Sequence, residues 1–295
     1  MSPRNILLVV GCALAAGCAL LPVPRFPRAV EERRTLVVEG RRRVYWLHQP
    51  VGMDRRGPWP LVVMLHGHGG TARRLQRVSG MNAQADAAGF AVAYPEGTSW
   101  LDIPWRSWNA GNCCGYAVAR GIDDVRFIAA LLDDLQRAHQ IDPRRIYVAG
   151  FSNGGMMAYR LACELSDRVA AVGVVAGALA IQACRPDHSV SLMAIHGTVD
   201  EYVPYQGGWS PRSGYRRFDQ PLAQTVAFWI TQDHCAPDPQ TTRDDAVRLD
   251  TYTGCAEGTG VSVATILDGR HAWPAASWSA TPQLWAFFSG HAQPE

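Results

Sequence analysis

The chain has 295 residues, of which 47% are hydrophobic and 18% are charged, and its formal net charge is +2. The large apolar fraction supports a sizeable folded core and argues against an intrinsically disordered protein. The nearly neutral charge argues against a nucleic-acid-binding protein, whose basic surface would give a much larger net charge.

The N-terminal segment has the features of an export signal. A basic residue precedes the apolar stretch Ile6–Ala16, which is too short to span a bilayer but suits a signal-peptide core. The small residues before Cys18 resemble a bacterial lipobox, and Cys12 is a second candidate for lipidation. We expect a signal peptide over residues 1–17, a tether over residues 18–34, and an exported protein attached to a membrane through lipidated Cys18. An ordinary cleaved signal without lipidation is the alternative.

Residues 35–295 are predicted to form a single catalytic domain in which strands alternate with helices. In chain order the predicted elements are a hairpin (Thr35–Val38 and Arg43–His48), a strand (Pro60–Leu65), a helix (Thr71–Ala88), a strand (Phe90–Tyr94), a long irregular segment (Thr98–Arg120), a helix (Gly121–Gln140), a strand (Ile146–Ala149), a helix (Gly154–Leu165), two strands (Ala170–Val175 and Ser191–Ile195), a loop (Gly197–Arg217), a helix (Pro221–Gln232), a second loop, a strand (Val261–Leu267) and a helix (Pro282–Gly290). This alternation predicts an α/β fold whose mainly parallel sheet carries helices on both faces.

Clusters of charged residues in these elements have structural explanations. Arg33–Arg34 and Arg41–Arg43 are expected to form a solvated face of the hairpin, with attraction to an anionic lipid or polymer as the alternative. Asp123 and Asp124 fall in the first turn of a predicted helix. Capping and complementation of the helix dipole account for both carboxylates without any chemistry.

Six cysteines remain beyond the predicted signal segment, and an even number in an exported protein predicts disulfide bonds. Cys235 and Cys255 flank a polar loop and are the predicted pair. The pairing of the other four is left open by the sequence; they are Cys113, Cys114, Cys163 and Cys184. Their spacing does not match a zinc site, so no metal and no cofactor is expected.

Residues Gly150–Gly154 form a G-x-S-x-G motif between a predicted strand and a predicted helix. The glycines are needed because this sharp turn strains the backbone and brings neighbouring chain close. Ser152 is therefore the candidate nucleophile. Asp200 and His271 each follow a later predicted strand, and Ser, Asp, His is the chain order of α/β-hydrolases. In the predicted mechanism the serine attacks an ester carbonyl, the histidine takes its proton, the aspartate orients the imidazole, and water cleaves the acyl-enzyme.

A glycine-rich segment over residues 66–70 follows the strand Pro60–Leu65 and is suited to bind an oxyanion. The predicted donors are the backbone amides of His68 and Asn153. The imidazoles of His66 and His68 are given structural roles, because this chemistry uses the backbone of the segment and needs only one base.

With these motifs the chain resembles the polyhydroxybutyrate depolymerase-like and feruloyl esterase-like carbohydrate esterases, over about Leu36 to Gly290. The motifs that carry the resemblance are Leu65-His66-Gly67, Tyr94-Pro95-Glu96-Gly97, Ser107-Trp108-Asn109-Ala110-Gly111 with Cys113-Cys114-Gly115, Asp123-Asp124-Val125, Gly150-Phe151-Ser152-Asn153-Gly154-Gly155, His196-Gly197-Thr198-Val199-Asp200 with Val203-Pro204-Tyr205, and His271-Ala272-Trp273-Pro274. The resemblance implies an exported serine esterase with an α/β-hydrolase fold.

The same resemblance implies Ser152, Asp200 and His271 as the catalytic triad, with Trp108 and Trp273 as substrate-binding residues. The chain departs from the family pattern at two positions that often hold glycine, Arg270 and Ala275. A cation at position 270 either favours anionic substrates or points to solvent.

The expected substrates are feruloyl or acetyl esters on polysaccharide, or short polyhydroxyalkanoate oligomers, since no linker to a separate polymer-binding domain is apparent. Five tryptophans are suited to stack on sugar or ferulate rings, or alternatively to pack a lid; they are Trp100, Trp105, Trp108, Trp209 and Trp273. The competing functions are a serine peptidase of the prolyl oligopeptidase type and a catalytically silent carbohydrate-binding module. No nucleic-acid or protein partner is expected.

Overall fold

The computed structural model describes residues 29–53, 57–212, 214, 216–276 and 278–294. The predicted signal peptide and the lipidation position Cys18 lie outside the described residues. The tether prediction ended at residue 34, whereas the first strand of the structure already begins at Val30. That prediction was wrong at its C-terminal end, because four of the five residues over 30–34 are charged and give this edge strand no apolar alternation.

The strands in chain order are β1 (Val30–Val38), β2 (Arg41–Gln49), β3 (Trp59–Leu65), β4 (Ala91–Pro95), β5 (Ile141–Phe151), β6 (Ala171–Val175), β7 (Ser191–Gly197), β8 (Gly208–Trp209), β9 (Phe218–Asp219), β10 (Gln240–Arg243), β11 (Val247–Tyr252) and β12 (Val261–Ile266). Ten of them form one sheet in the order β1-β2-β4-β3-β5-β6-β7-β12-β11-β10, and β8 pairs with β9. The strands from β4 to β12 in this order are parallel to one another, with antiparallel strands at both edges. The parallel part places the carboxyl ends of β3, β5, β7 and β12 at one edge of the sheet.

The helices are α1 (Ala72–Ser79), α2 (Met81–Ala88), α3 (Gly115–Ala119), α4 (Asp124–Ala138), α5 (Asn153–Glu164), α6 (Leu222–Gln232) and α7 (Ala280–Ser289). Apolar residues of α4, α5 and α6 pack into one hydrophobic core, and those of α1, α2 and α7 pack into a second. The predicted α/β-hydrolase fold class, with helices on both faces of a mainly parallel sheet, is confirmed. Within the described ranges, no helix combines the length and the apolar character that crossing a bilayer requires.

Besides the short elements α3 and β8, which lie inside segments predicted to be irregular, two predicted elements differ in the structure. The helix predicted over residues 71–88 is divided by Gly80, whose φ of 64° ends α1 and begins α2. This left-handed conformation suits glycine, and it breaks the helical path that the apolar periodicity alone would continue. The predicted loop between Cys235 and Cys255 contains β10 and β11. All four residues of β10 are exposed, so that strand has no apolar alternation by which to recognise it.

The two aspartates at the start of α4 have different roles. Asp123 accepts a hydrogen bond from the backbone N–H of Arg126 at 2.9 Å, as the capping prediction requires. Asp124 is fully buried and accepts from the Arg43 guanidinium at 2.6 Å and from the Asn109 N–H at 2.7 Å. The capping interpretation is therefore wrong for Asp124. The solvated-face interpretation is likewise wrong for Arg43, which is buried beneath the hairpin.

Among the described residues, three disulfide bonds join Cys113 to Cys114, Cys163 to Cys184, and Cys235 to Cys255. The second ties the end of α5 to the segment before β7. The third encloses the edge strands β10 and β11. A disulfide closing a loop of this length stabilises a fold by about 3 kcal/mol, mainly by restricting the unfolded chain.

Candidate active site

The fold brings Ser152, Asp200 and His271 together from three separate strand ends. Ser152 follows β5, Asp200 lies three residues beyond β7, and His271 lies five residues beyond β12. These strands run parallel in one sheet, so their carboxyl ends lie at the same edge. The loops after β7 and β12 also bond to each other, because the Val199 N–H donates to the Gly269 carbonyl at 3.0 Å.

The backbone at Ser152 takes the sharp turn that the motif predicts. Its φ of 56° and ψ of −120° lie in a region that non-glycine residues rarely adopt, and its N–H donates to the Val175 carbonyl at 2.8 Å. A Cβ at position 150 would overlap the Gly154 carbonyl, and a Cβ at position 154 would overlap the Leu65 carbonyl. Both glycines are therefore required for the half-buried serine to take its place between β5 and α5.

The imidazole of His271 lies between the other two side chains. Its Nε2 is 3.0 Å from the Ser152 Oγ, and its Nδ1 is 2.8 Å from an Asp200 carboxylate oxygen. With Nδ1–H donating to the carboxylate, Nε2 is left as an acceptor for the serine hydroxyl. This is the geometry in which a histidine removes a proton from a serine.

Asp200 is held by more groups than His271 alone. Its Oδ1 accepts hydrogen bonds from the backbone N–H groups of Tyr202 at 2.8 Å and Val203 at 2.9 Å. Its Oδ2, which contacts His271, also lies 3.5 Å from the His196 Nε2. Burial by itself raises the pKa of Asp200, but the hydrogen bonds from His196 and His271 outweigh it and hold that pKa well below its usual range. The carboxylate therefore stays ionised. His196 was not predicted to belong to the site, although its place four residues before Asp200 in the motif His196-Gly197-Thr198-Val199-Asp200 was a signal.

The glycine-rich segment after β3 is held by the buried imidazole of His66. The Gly97 N–H donates to Nε2 at 3.0 Å, so Nδ1 carries the proton and donates to the Gly67 carbonyl at 2.9 Å. Burial lowers the pKa of His66 to about 4, and the ring is neutral at ordinary pH. The Gly70 N–H also donates to the Gly67 carbonyl, which turns the segment back on itself around His68. His66 therefore positions this segment.

Asn153 has a second role besides the one predicted for its backbone. Its N–H is at the first position of α5, where an amide has no intrahelical partner and the helix dipole favours negative charge. Its buried side chain accepts from the Trp108 N–H at 2.8 Å and donates to the carbonyls of Trp108 and Cys113 at 3.1 and 3.2 Å. This amide joins the start of α5 to the irregular segment between β4 and α4.

The two tryptophans predicted to bind substrate occupy different positions relative to the cavity. Trp108 is fully buried, and its indole N–H donates to the His66 carbonyl at 2.8 Å. It lies behind the cavity wall, so the prediction of a substrate contact does not match its position. Trp273 lines the cavity, and so does Trp105, whose edge meets the His68 ring at 5.8 Å. Trp100 and Trp209 are exposed and lie away from the cavity lining.

A cavity of about 880 Å³ opens over Ser152 and His271. Its apolar wall comes from Leu75, Val78, Phe151 and the two lining tryptophans, together with the Cys113–Cys114 disulfide. Arg217 lies buried beside this disulfide and forms two hydrogen bonds to Asp219, at 2.6 and 2.8 Å. Within the described part of the chain, no group of three or more His, Cys, Asp or Glu residues is arranged to hold a metal ion.

Comparison with solved structures supports the fold. An acetyl xylan esterase from Aspergillus awamori superposes with a TM-score of 0.64, covering 88% of this chain and 99% of that one at 14% sequence identity. The structure of native pOPH gives a TM-score of 0.60 at 16% identity, covering 92% of this chain and 90% of that one.

Comparison with known sequences identifies the family. NocK of Nocardia uniformis subsp. tsuyamanensis, named as an esterase, is 40% identical over 63% of this chain and 54% of its own length. Feruloyl esterase B of Piromyces equi is 30% identical over 76% of this chain and 41% of its own length. Poly(3-hydroxyalkanoate) depolymerase C of Paucimonas lemoignei is 26% identical over 73% of this chain and 50% of its own length. The chain thus spans about half the length of these relatives. Residues 44–201, more than half of the sequence, match the family described as Esterase PHB depolymerase, and the chain belongs to that family.

Proposed function

We propose that this protein is an exported serine esterase that cleaves carboxylic esters through an acyl-enzyme. The observation that carries the proposal is the position of His271, hydrogen-bonded to Ser152 on one side and to ionised Asp200 on the other. Membership of an esterase family supports the same conclusion.

The mechanism follows from the directions of these hydrogen bonds. His271 takes the Ser152 proton as the oxygen attacks the ester carbonyl, and Asp200 stabilises the imidazolium that forms. The oxyanion is received by the backbone amides of His68, in the glycine-rich segment, and Asn153, at the positive end of α5. The imidazolium then returns its proton to the leaving alcohol, and a water activated in the same way releases the acid.

The proposed substrates are feruloyl or acetyl esters on polysaccharide, or short polyhydroxyalkanoate oligomers. Relatives carry the names feruloyl esterase and poly(3-hydroxyalkanoate) depolymerase, which supports both classes. Trp105, Phe151 and Trp273 line the cavity and supply flat apolar surface for an aromatic acyl group or a sugar ring. A cavity of about 880 Å³ accommodates a ligand of that size.

Export is supported by the three disulfide bonds, since disulfides persist in oxidising compartments. We propose that the mature protein is periplasmic or extracellular and that lipidated Cys18 attaches it to a bacterial membrane. Mass spectrometry of membrane-extracted protein tests this attachment. An unmodified N-terminal residue other than Cys18 would contradict it.

The activity is tested with the full-length protein on p-nitrophenyl butyrate and methyl ferulate, with butyryl p-nitroanilide as the matched amide. We expect turnover of the esters, slow or no turnover of the amide, and a loss on the order of 10⁴-fold or more in kcat for Ser152→Ala. The ratio of the two ester rates reports on an aromatic acyl pocket. Absence of ester turnover, or a Ser152→Ala variant as active as the parent, would overturn the proposal.

A further inference from the structure

The cavity over Ser152 is lined by arginines, and the acids that pair with some of them lie outside its lining. Arg74, Arg212 and Arg217 contribute to its wall. Among the described residues that line it there is neither an aspartate nor a glutamate. The positive charge that each arginine offers to a ligand therefore depends on whether a carboxylate outside the cavity lining neutralises it. The three arginines differ in this respect.

The charge of Arg217 is already neutralised inside the protein. Its guanidinium is buried and binds both oxygens of Asp219, which is itself buried. It also donates to the Tyr202 carbonyl at 3.1 Å and to the Cys113 Sγ at 3.2 Å. These contacts give Arg217 a structural role, and it leaves no net charge for a ligand.

Arg74 presents a charge that the protein does not neutralise. It lies on α1, is exposed, and no carboxylate lies within ion-pair distance of it in the described part of the chain. Its neighbour Arg73 turns to the other side and pairs with Glu31. A guanidinium that faces a cavity without an acidic partner favours an anion there.

Arg212 belongs to a second cationic group at the cavity mouth. Its Nε lies 3.1 Å from a carboxylate oxygen of Glu201, and Arg270 lies 3.9 Å from the same oxygen. Two cations therefore share one carboxylate, and the group retains a net positive charge.

This second group lies on the histidine side of the site. Glu201 directly follows Asp200, and Arg270 directly precedes His271. Because the imidazolium must return its proton to the leaving oxygen, the alcohol portion of an ester lies toward His271. Of the two cations only Arg212 lines this cavity among the described residues, whereas Arg270 lines a neighbouring pocket. The charge of Arg212 is thus placed where the alcohol portion would extend.

From these contacts we propose that the cavity selects esters whose alcohol portion carries a carboxylate, which Arg74 and Arg212 attract. This inference rests on the proposed esterase function and narrows its substrate class. Two kinds of substrate have such an alcohol portion. One is a hydroxyalkanoate oligomer with a free carboxylate end, and the other is an acidic polysaccharide with an acylated uronic acid. In both, the carboxylate lies a few bonds beyond the scissile ester oxygen.

The test measures kcat/KM for pairs of esters that differ only in a carboxylate replaced by a neutral carboxamide. One pair is 3-(butyryloxy)butanoate and its amide, and a second is an acetylated methyl glucuronoside and its amide; the two pairs represent the two kinds of substrate. A third pair, monoethyl glutarate and its amide, places the carboxylate on the acyl side. The full-length parent is compared with Arg74→Gln, Arg212→Gln and the double variant. Arg77→Gln removes an exposed charge from the same helix but away from the cavity, and is the matched control.

We expect the parent to prefer the charged ester in at least one alcohol-side pair by about tenfold, and to show a smaller preference in the acyl-side pair. Each single variant should lower the preference about threefold, the size of a partly exposed ion pair, because kcat/KM falls more for the charged ester than for its neutral amide. Salt should weaken the preference, and Arg77→Gln should leave it unchanged.

Equal rates within both alcohol-side pairs overturn the inference, as does a preference that survives in the double variant. A stronger preference in the acyl-side pair overturns the assignment to the alcohol portion. Turnover of p-nitrophenyl butyrate shows in the same experiment that the esterase function itself holds. If the parent cleaves none of the esters, the proposed function fails and the inference fails with it.

Discussion

The Asn153 side chain and the Trp108 backbone hydrogen-bond to each other in both directions. The amide oxygen accepts from the Trp108 N–H at 2.8 Å, and the amide nitrogen donates to the Trp108 carbonyl at 3.1 Å. Asn153 directly follows Ser152, and the Trp108 indole in turn holds the His66 carbonyl. One buried amide thus joins the turn that bears the serine to the glycine-rich segment that faces it.

We predict that Asn153→Ala lowers the free energy of unfolding by about 3 kcal/mol, because it leaves buried backbone groups of Trp108 without partners. It should also lower kcat on p-nitrophenyl butyrate by at least about tenfold, since the two sides of the proposed oxyanion site lose their connection. Urea unfolding and initial rates measure the two effects. Asn112→Ala, an exposed asparagine of the same segment, is the control and should change neither. A stable, fully active Asn153→Ala variant would contradict this role.

Asp200→Asn should lower kcat by about 10⁴-fold, because a neutral amide neither fixes the His271 tautomer nor stabilises the imidazolium. The remaining side-chain oxygen can still accept the N–H groups of Tyr202 and Val203, so we expect the fold to persist. Initial rates with p-nitrophenyl butyrate and circular dichroism measure both. Asp268→Asn changes an exposed aspartate in the loop before His271 and should retain parental activity. A loss of less than tenfold in Asp200→Asn would show that this carboxylate is not part of the catalytic unit.

Asp123 and Asp124 should differ sharply when each is replaced by alanine. Asp124→Ala leaves the buried Arg43 guanidinium unpaired, and breaking such a pair costs about 3–5 kcal/mol. Asp123→Ala removes only a helix cap, which costs about 1 kcal/mol. Denaturant unfolding of the two variants measures the difference, and each variant serves as the control for the other. Equal losses would mean that the buried pair contributes no more than the cap.

The buried carboxyl of Asp233 should make stability depend on pH. Burial raises its pKa to about 7, against a hydrogen bond from the Val190 N–H that lowers it. A folded-state pKa above the unfolded value means that the stabilising contribution is complete below pH 3.8 and is lost as the pH rises through 7. The parent should therefore lose up to roughly 4 kcal/mol from this group between pH 4 and pH 7.

Asp233→Asn should remove that loss, and unfolding free energies measured between pH 4 and pH 8 compare the two proteins. The lowered pKa of His66 makes the free energy of unfolding rise with pH, opposite to the effect of Asp233. Because His66 is present in both proteins, its contribution cancels in the comparison. Asp238→Asn, an exposed position nearby, should reproduce the parental pH profile. If the parent and Asp233→Asn show the same pH dependence, the buried carboxyl does not titrate in this range.

Some parts of the site could be predicted because they are encoded locally. Gly150 and Gly154 mark the sharp turn at Ser152, since only glycine avoids overlap with the neighbouring chain. Apolar runs mark the parallel strands. Strand order then places Asp200 and His271 at the same sheet edge as the serine.

Other parts could not be predicted because they depend on contacts between distant segments. The roles of Asp124 and Arg43 arise from an ion pair across 81 positions, and neighbouring residues give no sign of it. Strand β10 is polar throughout and owes its place to pairing with β11. Cys163 and Cys184 are paired only when α5 and the segment before β7 take their positions, whereas Cys113 and Cys114 are neighbours in the chain.

By itself, the sequence determined the fold class and the order of the candidate catalytic residues along the chain, because glycine turns and apolar strands leave patterns over a few residues. Only the tertiary structure decided which side chains face the cavity. It places Trp108 behind the wall and Trp105 on it, and it neutralises Arg217 while leaving Arg74 unpaired. The physical reason is that burial and charge balance depend on which distant groups pack against a residue, and residue type alone does not specify those neighbours.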